Sequence, residues 1–118
     1  GGLYNNQGIV TLNNSRIFHC SANNSAAAIY NNQGTVTLNS STLDSNTALN
    51  SHGGGIYNFK GTVSLNASTL SANWATNATN SNATAGGGIY NYAYGVGTVN
   101  ITNSTLTGNL ANDKGGAI

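Results

Sequence analysis

The sequence predicts an all-β fold, a right-handed parallel β-helix of about four to five coils of 26–33 residues with three short strands each, and three observations carry that reading. The first is repetition. Leu3-Tyr4-Asn5, Ile29-Tyr30-Asn31, Ile56-Tyr57-Asn58 and Ile89-Tyr90-Asn91 recur at spacings of 26, 27 and 33 residues, and a further copy begins at Gly115-Gly116-Ala117-Ile118. The second is alternation. Ile9-Val10-Thr11-Leu12, Thr35-Val36-Thr37-Leu38, Thr62-Val63-Ser64-Leu65 and Thr98-Val99-Asn100-Ile101 repeat with period two, and no segment has the three-to-four apolar spacing of a helix. The third is size. A strand triplet of this length cannot bury its own apolar face, whereas identical triplets stacked at about 4.8 Å per rung pair their backbones and build one continuous core.

Aligning the repeats places the coils at about 1–26, 27–52, 53–85 and 86–114, with the start of the next at 115–118, all within one β-helix domain. Each coil opens on small residues: Gly1-Gly2, Ala26-Ala27-Ala28, Gly53-Gly54-Gly55, Gly86-Gly87-Gly88 and Gly115-Gly116. These suit a tight corner, through either positive φ or close backbone approach. The apolar-Tyr-Asn strand follows, then the alternating strand, then a Ser-x-apolar block.

Alternation sorts the side chains. The predicted inward columns are Leu3, Ile29, Ile56, Ile89 and Ile118; Val10, Val36, Val63 and Val99; Leu12, Leu38, Leu65 and Ile101; Ile17, Leu43, Leu70 and Leu106; and Ala22, Ala48, Ala75 and Ala111. Burial of each aliphatic member contributes about 1.5 to 3 kcal/mol before chain entropy is subtracted. Asn46, Asn73 and Asn109 lie three residues after the Leu of the third strand, out of phase with the alternation. That predicts a turn, with left-handed backbone at the asparagines and their amides joined in an internal ladder. The first coil has Cys20 there, so the ladder should end at that residue.

The blocks Gly53-Gly54-Gly55-Ile56-Tyr57-Asn58 and Ser68-Thr69-Leu70-Ser71-Ala72-Asn73 resemble the repeats of polymorphic outer membrane proteins and related autotransporter-adhesin surface proteins. The resemblance covers nearly the whole chain, although Leu70 stands where those repeats usually carry Phe. It implies a right-handed parallel β-helix, often a secreted passenger or adhesin, at the bacterial outer membrane or in the extracellular space.

Composition narrows the chemistry. Charged residues are 4% of the 118, with a formal net charge of +1, so there is no basic stripe for phosphates and no nucleic-acid partner is expected. The same lack of charge leaves little repulsion against self-association. No apolar run approaches a membrane span in this segment, and the single Cys20 excludes an internal disulfide framework.

No catalytic, metal or cofactor site is expected. The only carboxylates, Asp44 and Asp113, occupy different coils and different repeat positions, which does not make the facing pair that glycoside hydrolysis needs. His19, Cys20 and His52 lack a fourth zinc partner, and an extended backbone would point His19 and Cys20 apart.

The outward residues suggest binding. Tyr4, Tyr30, Tyr57 and Tyr90 share one column, and Tyr92 and Tyr94 add aromatic area in an insertion of the last full coil. Such a ladder either stacks on itself or offers ring faces to sugars or to a neighbouring fibre. Thr35/Thr37 and Thr62/Ser64 resemble the outward pairs of some ice-binding solenoids, with Ile9 and Asn100 interrupting the array. Eight Asn-x-Ser/Thr sequons, at Asn13, Asn23, Asn39, Asn66, Asn77, Asn82, Asn100 and Asn103, permit glycosylation. The corner from Thr76 to Ala85 is the longest, small or polar throughout, and reads as decoration.

The expected function is therefore a non-catalytic extracellular structural or adhesive solenoid, with a carbohydrate-binding or polysaccharide-processing module and an ice-binding protein as alternatives. Expected partners are further copies, stacked end to end or as neighbouring coils of a longer chain, and a host-surface or polysaccharide ligand. Uncapped terminal rungs favour such stacking, because they expose strand edges.

Overall fold

In the computed structural model, which describes residues 1–77, 84–92, 94 and 96–118, the chain winds through four successive coils of short parallel strands. The first carries β1 (Leu3–Asn6), β2 (Ile9–Asn13), β3 (Arg16–Phe18) and β4 (Ser21–Asn23); the second β5 (Ile29–Asn32), β6 (Thr35–Asn39), β7 (Thr42–Asp44) and β8 (Thr47–Leu49). The third carries β9 (Ile56–Phe59), β10 (Thr62–Asn66), β11 (Thr69–Ser71) and β12 (Trp74–Thr76); the fourth β13 (Ile89–Tyr92), β14 (Thr98–Thr102), β15 (Thr105–Thr107) and β16 (Leu110–Ala111). Corresponding strands form four parallel sheets: β1-β5-β9-β13, β2-β6-β10-β14, β3-β7-β11-β15 and β4-β8-β12-β16. This is a parallel β-helix with four strands per coil rather than three. The fourth is built around the Ala22, Ala48, Ala75 and Ala111 column, whose small side chains left no long alternating pattern to read.

Register follows the repeat: Tyr30 lies between Tyr4 and Tyr57, and Val63 between Val36 and Val99. The core is the stack of inward columns. Ile29, Val36, Leu38, Leu43, Ala48, Ile56, Val63, Leu65, Leu70, Ala75 and Ile89 are fully buried. Leu3, Val10, Leu12, Ile17, Val99 and Leu106 pack against them from the outer rungs and are only partly buried, because they are covered from one side. For the same reason Ile101 and Ile118, expected inside, are 41% and 53% exposed.

One left-handed residue turns each of three corners. After the first strand it is Gln7, Gln33 or Lys60; after the second, Asn14, Ser40, Ala67 or Asn103; after the third, His19, Ser45, Ala72 or Gly108. The asparagines of the predicted ladder are therefore not left-handed themselves; the residue before each one is. His19 is likewise left-handed, so the extended His19-Cys20 backbone assumed from sequence does not form.

The residue that follows the second or third turn points inward and builds a polar ladder. Asn46 Nδ2 donates to Asn73 Oδ1 at 2.9 Å, and Asn73 Nδ2 to Asn109 Oδ1 at 2.9 Å. At Cys20 only the backbone N–H continues the ladder, donating to Asn46 Oδ1 at 3.0 Å. Ser15, Ser41, Ser68 and Ser104 form a second ladder, each of the first three N–H groups donating to the next hydroxyl at 3.0 to 3.1 Å.

A third ladder runs through the first sheet, where Asn5, Asn31, Asn58 and Asn91 are joined by 2.8 Å amide bonds. Each of these amides also donates to a corner carbonyl, that of Gly8, Gly34, Gly61 or Gly97. Alternation carried these asparagines inward, two residues after Leu3, Ile29, Ile56 and Ile89, but their polarity hid that from a search for apolar columns. Among the described residues no buried side-chain nitrogen or oxygen lacks a partner.

The small-residue corners meet both demands raised by the sequence. Gly53 and Gly86 have φ of +68° and +63°, whereas a Cβ on Gly55 would stand 2.5 Å from the Gly88 carbonyl oxygen. Ala26 occupies the position of Gly53 without a positive φ, so the second coil takes this corner along a different backbone path.

Candidate functional site: an aromatic outer face

The first sheet places its alternate residues outward, and these make the aromatic face. Tyr4, Tyr30, Tyr57 and Tyr90 form one column, and Asn6, Asn32, Phe59 and Tyr92 form the next. Tyr92 thus belongs to β13, opposite Phe59, rather than to an insertion; of the predicted pair only Tyr94 lies beyond the strand. The second column changes character along the solenoid. Asn32 Nδ2 donates to Asn6 Oδ1 at 2.7 Å in the first two coils, while Phe59 and Tyr92 stack at 5.6 Å and 13° in the last two.

The rings largely cover one another. Tyr30 and Tyr57 stack at 4.8 Å and 5°, Tyr4 tilts onto Tyr30 at 5.3 Å, and Tyr57 meets Tyr90 at 5.1 Å and 58°. His52, from the corner before the third coil, stacks on Tyr90 at 4.3 Å and 16°. Tyr30, Tyr57 and Tyr90 are partly buried in these contacts, Tyr4 at the end of the column is 65% exposed, and the Lys60 ammonium sits 5.2 Å from the Phe59 ring centre. Tyr94 departs from the pattern: it is 81% exposed and stands at 82° to Tyr92, which leaves ring face open to solvent. Beside Tyr4 and Tyr30 lies a hollow of about 320 Å³ bordered by Gly1, Gly2, Leu3, Ser25 and Ala26.

Packing alters the ionisation of this face. Burial, reinforced by the neighbouring phenols of Tyr30, Tyr90 and Tyr92, pushes the Tyr57 phenol up to about 12. Burial raises Tyr30 in the same direction and holds the His52 imidazole below the ordinary histidine range.

Comparison with protein-family models, with curated proteins and with solved structures finds no match.

The other sequence candidates are distributed over the remaining faces. Asp44 is held by Arg16 through two bonds, Nε to Oδ1 at 2.6 Å and Nη2 to Oδ2 at 2.8 Å. The Arg16 hydrogen bonds hold its carboxyl below the usual carboxylate range. The guanidinium in turn lies 4.5 Å from the Phe18 ring centre, and His19 meets that ring edge-on. Repeat position alone did not reveal the pair, because Arg16 sits opposite Thr42 and reaches Asp44 diagonally. Among the described residues no group of three His, Cys, Asp or Glu side chains could hold a metal ion, and no helix is long and apolar enough to cross a membrane.

On the second sheet, Thr35, Thr37, Thr62 and Ser64 align with Ile9, Thr11, Thr98 and Asn100, and Ile9 is 83% exposed. Beside them Asn13, Asn39 and Asn66 bond to one another in an outward ladder, which occupies two of the amide nitrogens that the sequons offer. Asn77 is buried. Asn82, and residues 78–83 of the long corner that contains it, lie outside the described residues.

Proposed function

We propose that the chain is a non-catalytic extracellular or cell-surface β-solenoid of the polymorphic outer membrane protein and autotransporter-adhesin type, structural or adhesive in role. It presents long, nearly uncharged, hydrogen-bonding faces to partner molecules or to copies of itself. The supporting observation is the division of labour across the rungs. Inward polar groups are used in three ladders, while outward Tyr, Thr and Asn columns repeat in register at the rung pitch. With three basic and two acidic residues, electrostatic repulsion between copies is small.

Sedimentation velocity over a range of concentrations, with electron microscopy of the products and an adhesion assay on cell surfaces, tests this reading. Association or adhesion is the expected result; a chain that stays monomeric and adheres to nothing counts against it.

A carbohydrate-binding module is the second reading, favoured by the open ring of Tyr94 at right angles to Tyr92. Binding of neutral polysaccharide that is lost in Tyr94→Ala supports it. Polysaccharide turnover abolished by Asp44→Asn makes the protein an enzyme instead.

A further inference from the structure

His52 does more than pack. Its Nδ1 accepts the backbone N–H of Ala85 at 3.0 Å while its ring covers Tyr90. A backbone N–H can only donate, so this bond requires the neutral tautomer with the proton on Nε2.

Ala85 stands where the chain re-enters the coil after the long corner. Its carbonyl receives the Gly53 N–H at 3.1 Å, which begins the rung ladder of the glycine corner. The segment is fastened from within by Thr84, whose hydroxyl donates to the Ala75 carbonyl and accepts the Asn112 N–H, each at 3.1 Å. His52 fastens it from the other coil.

We propose that His52 is a proton-sensitive latch that holds the Ala85 backbone and covers Tyr90 when neutral, and releases both when protonated. An imidazolium sets N–H against N–H at Ala85. The titratable groups in ring contact with it are the phenols of Tyr57 on β9 and Tyr90 on β13. Gly53 and Ala85 bring backbone only, and Lys114 joins Ala85 through a backbone bridge. Among the described residues no ion pair or hydrogen bond links His52 to a carboxylate that would hold the cation in place. Attraction of the cation to the Tyr90 face does not relieve the opposed donors.

Burial favours the neutral form, so the latch is closed above the ordinary histidine range and opens as pH falls through the lowered folded value. The proposal concerns the His52–Ala85 contact and the Tyr90 ring, and depends on no ligand.

Imidazole ¹⁵N spectra and amide exchange of Ala85 across pH test it. The expected result is an unprotonated Nδ1 at neutral pH and titration below the ordinary range. The Ala85 protection factor should then fall by up to roughly tenfold per pH unit as pH drops from the ordinary histidine range towards that midpoint. His52→Phe, which keeps a stacking ring without an acceptor, should show low, pH-independent protection, and His52→Asn should remove the pH dependence. A proton on Nδ1 at neutral pH, titration at or above the ordinary range, or protection that stays level through the titration would overturn the latch.

Discussion

The side-chain nitrogen of Asn58 donates to Oδ1 of Asn91 on the next rung at 2.8 Å, and the same nitrogen donates to the Gly61 carbonyl at 2.9 Å. One side chain thus ties a strand to its neighbour and to its own following corner. Asn31 and Asn5 do the same one and two rungs earlier, so the ladder works as a unit.

Asn58→Ala interrupts that unit in the middle. It removes the acceptor of the Asn31 amide and takes the Asn58 donor away from the half-buried Asn91 Oδ1, while the Gly61 carbonyl keeps only the Thr98 N–H at 2.9 Å. A loss of about 3 kcal/mol is expected, measured by urea unfolding monitored by circular dichroism. An unchanged midpoint would mean that water substitutes for the amide.

Two glycines make a paired test. A Cβ on Gly61 would lie 2.6 Å from the Gly34 oxygen and 2.9 Å from Asn58 Oδ1, so Gly61→Ala should cost about 2 to 3 kcal/mol. Gly108 has φ +60° but its nearest neighbour would be 3.9 Å away, and Ala72 already occupies the same corner at φ 51°. Gly108→Ala should cost about 1 kcal/mol or less. Reversal of that order in denaturant midpoints would overturn the distinction between close approach and backbone conformation.

Tyr57 should ionise late. Its folded value of about 12 exceeds the ordinary 10.0, so the neutral phenol is favoured in the folded state. Its contribution to stability is complete below pH 10.0 and is lost as pH rises through about 12. Absorbance titration of phenolate should show a high-pH component that disappears in Tyr57→Phe.

Arg16→Ala should let the Asp44 carboxyl return towards the ordinary carboxylate range, read from its side-chain ¹³C shift across pH. Because the folded value is depressed, the contribution of the pair is present above the unfolded carboxylate range and is lost as pH falls through the folded value. In Arg16→Ala the acid-side decline of stability below the ordinary carboxylate range should have smaller amplitude.

Phe59→Asn/Tyr92→Asn extends into the last two coils the Asn6–Asn32 column of the first two. The rung geometry already accommodates asparagine there, so circular dichroism should remain that of the folded chain. If the aromatic half of the face mediates association or adhesion, the double variant should lose it; retained adhesion would move the contact to another sheet.

Much of this architecture was legible in the residues. The repeat spacing, the Val, Leu and Ile columns, the Tyr column and the Asn46–Asn73–Asn109 ladder all follow from short-range periodicity, which obliges equivalent residues to take equivalent positions. The rest was not local. Left-handed turns at Gln7, Ala67 and Ala72 oppose intrinsic preference and carry no turn signature. They are held by bonds from other rungs, such as Ala72 N–H to the Thr107 carbonyl at 3.1 Å. The fourth strand, the Asn5–Asn31–Asn58–Asn91 ladder, the Arg16–Asp44 pair and the His52–Ala85 bond likewise join residues 26 to 36 positions apart where they bridge rungs. The repeat sets which residues recur, whereas stacking sets which of their polar groups meet, because a donor in one coil finds its acceptor only once the next coil is laid against it.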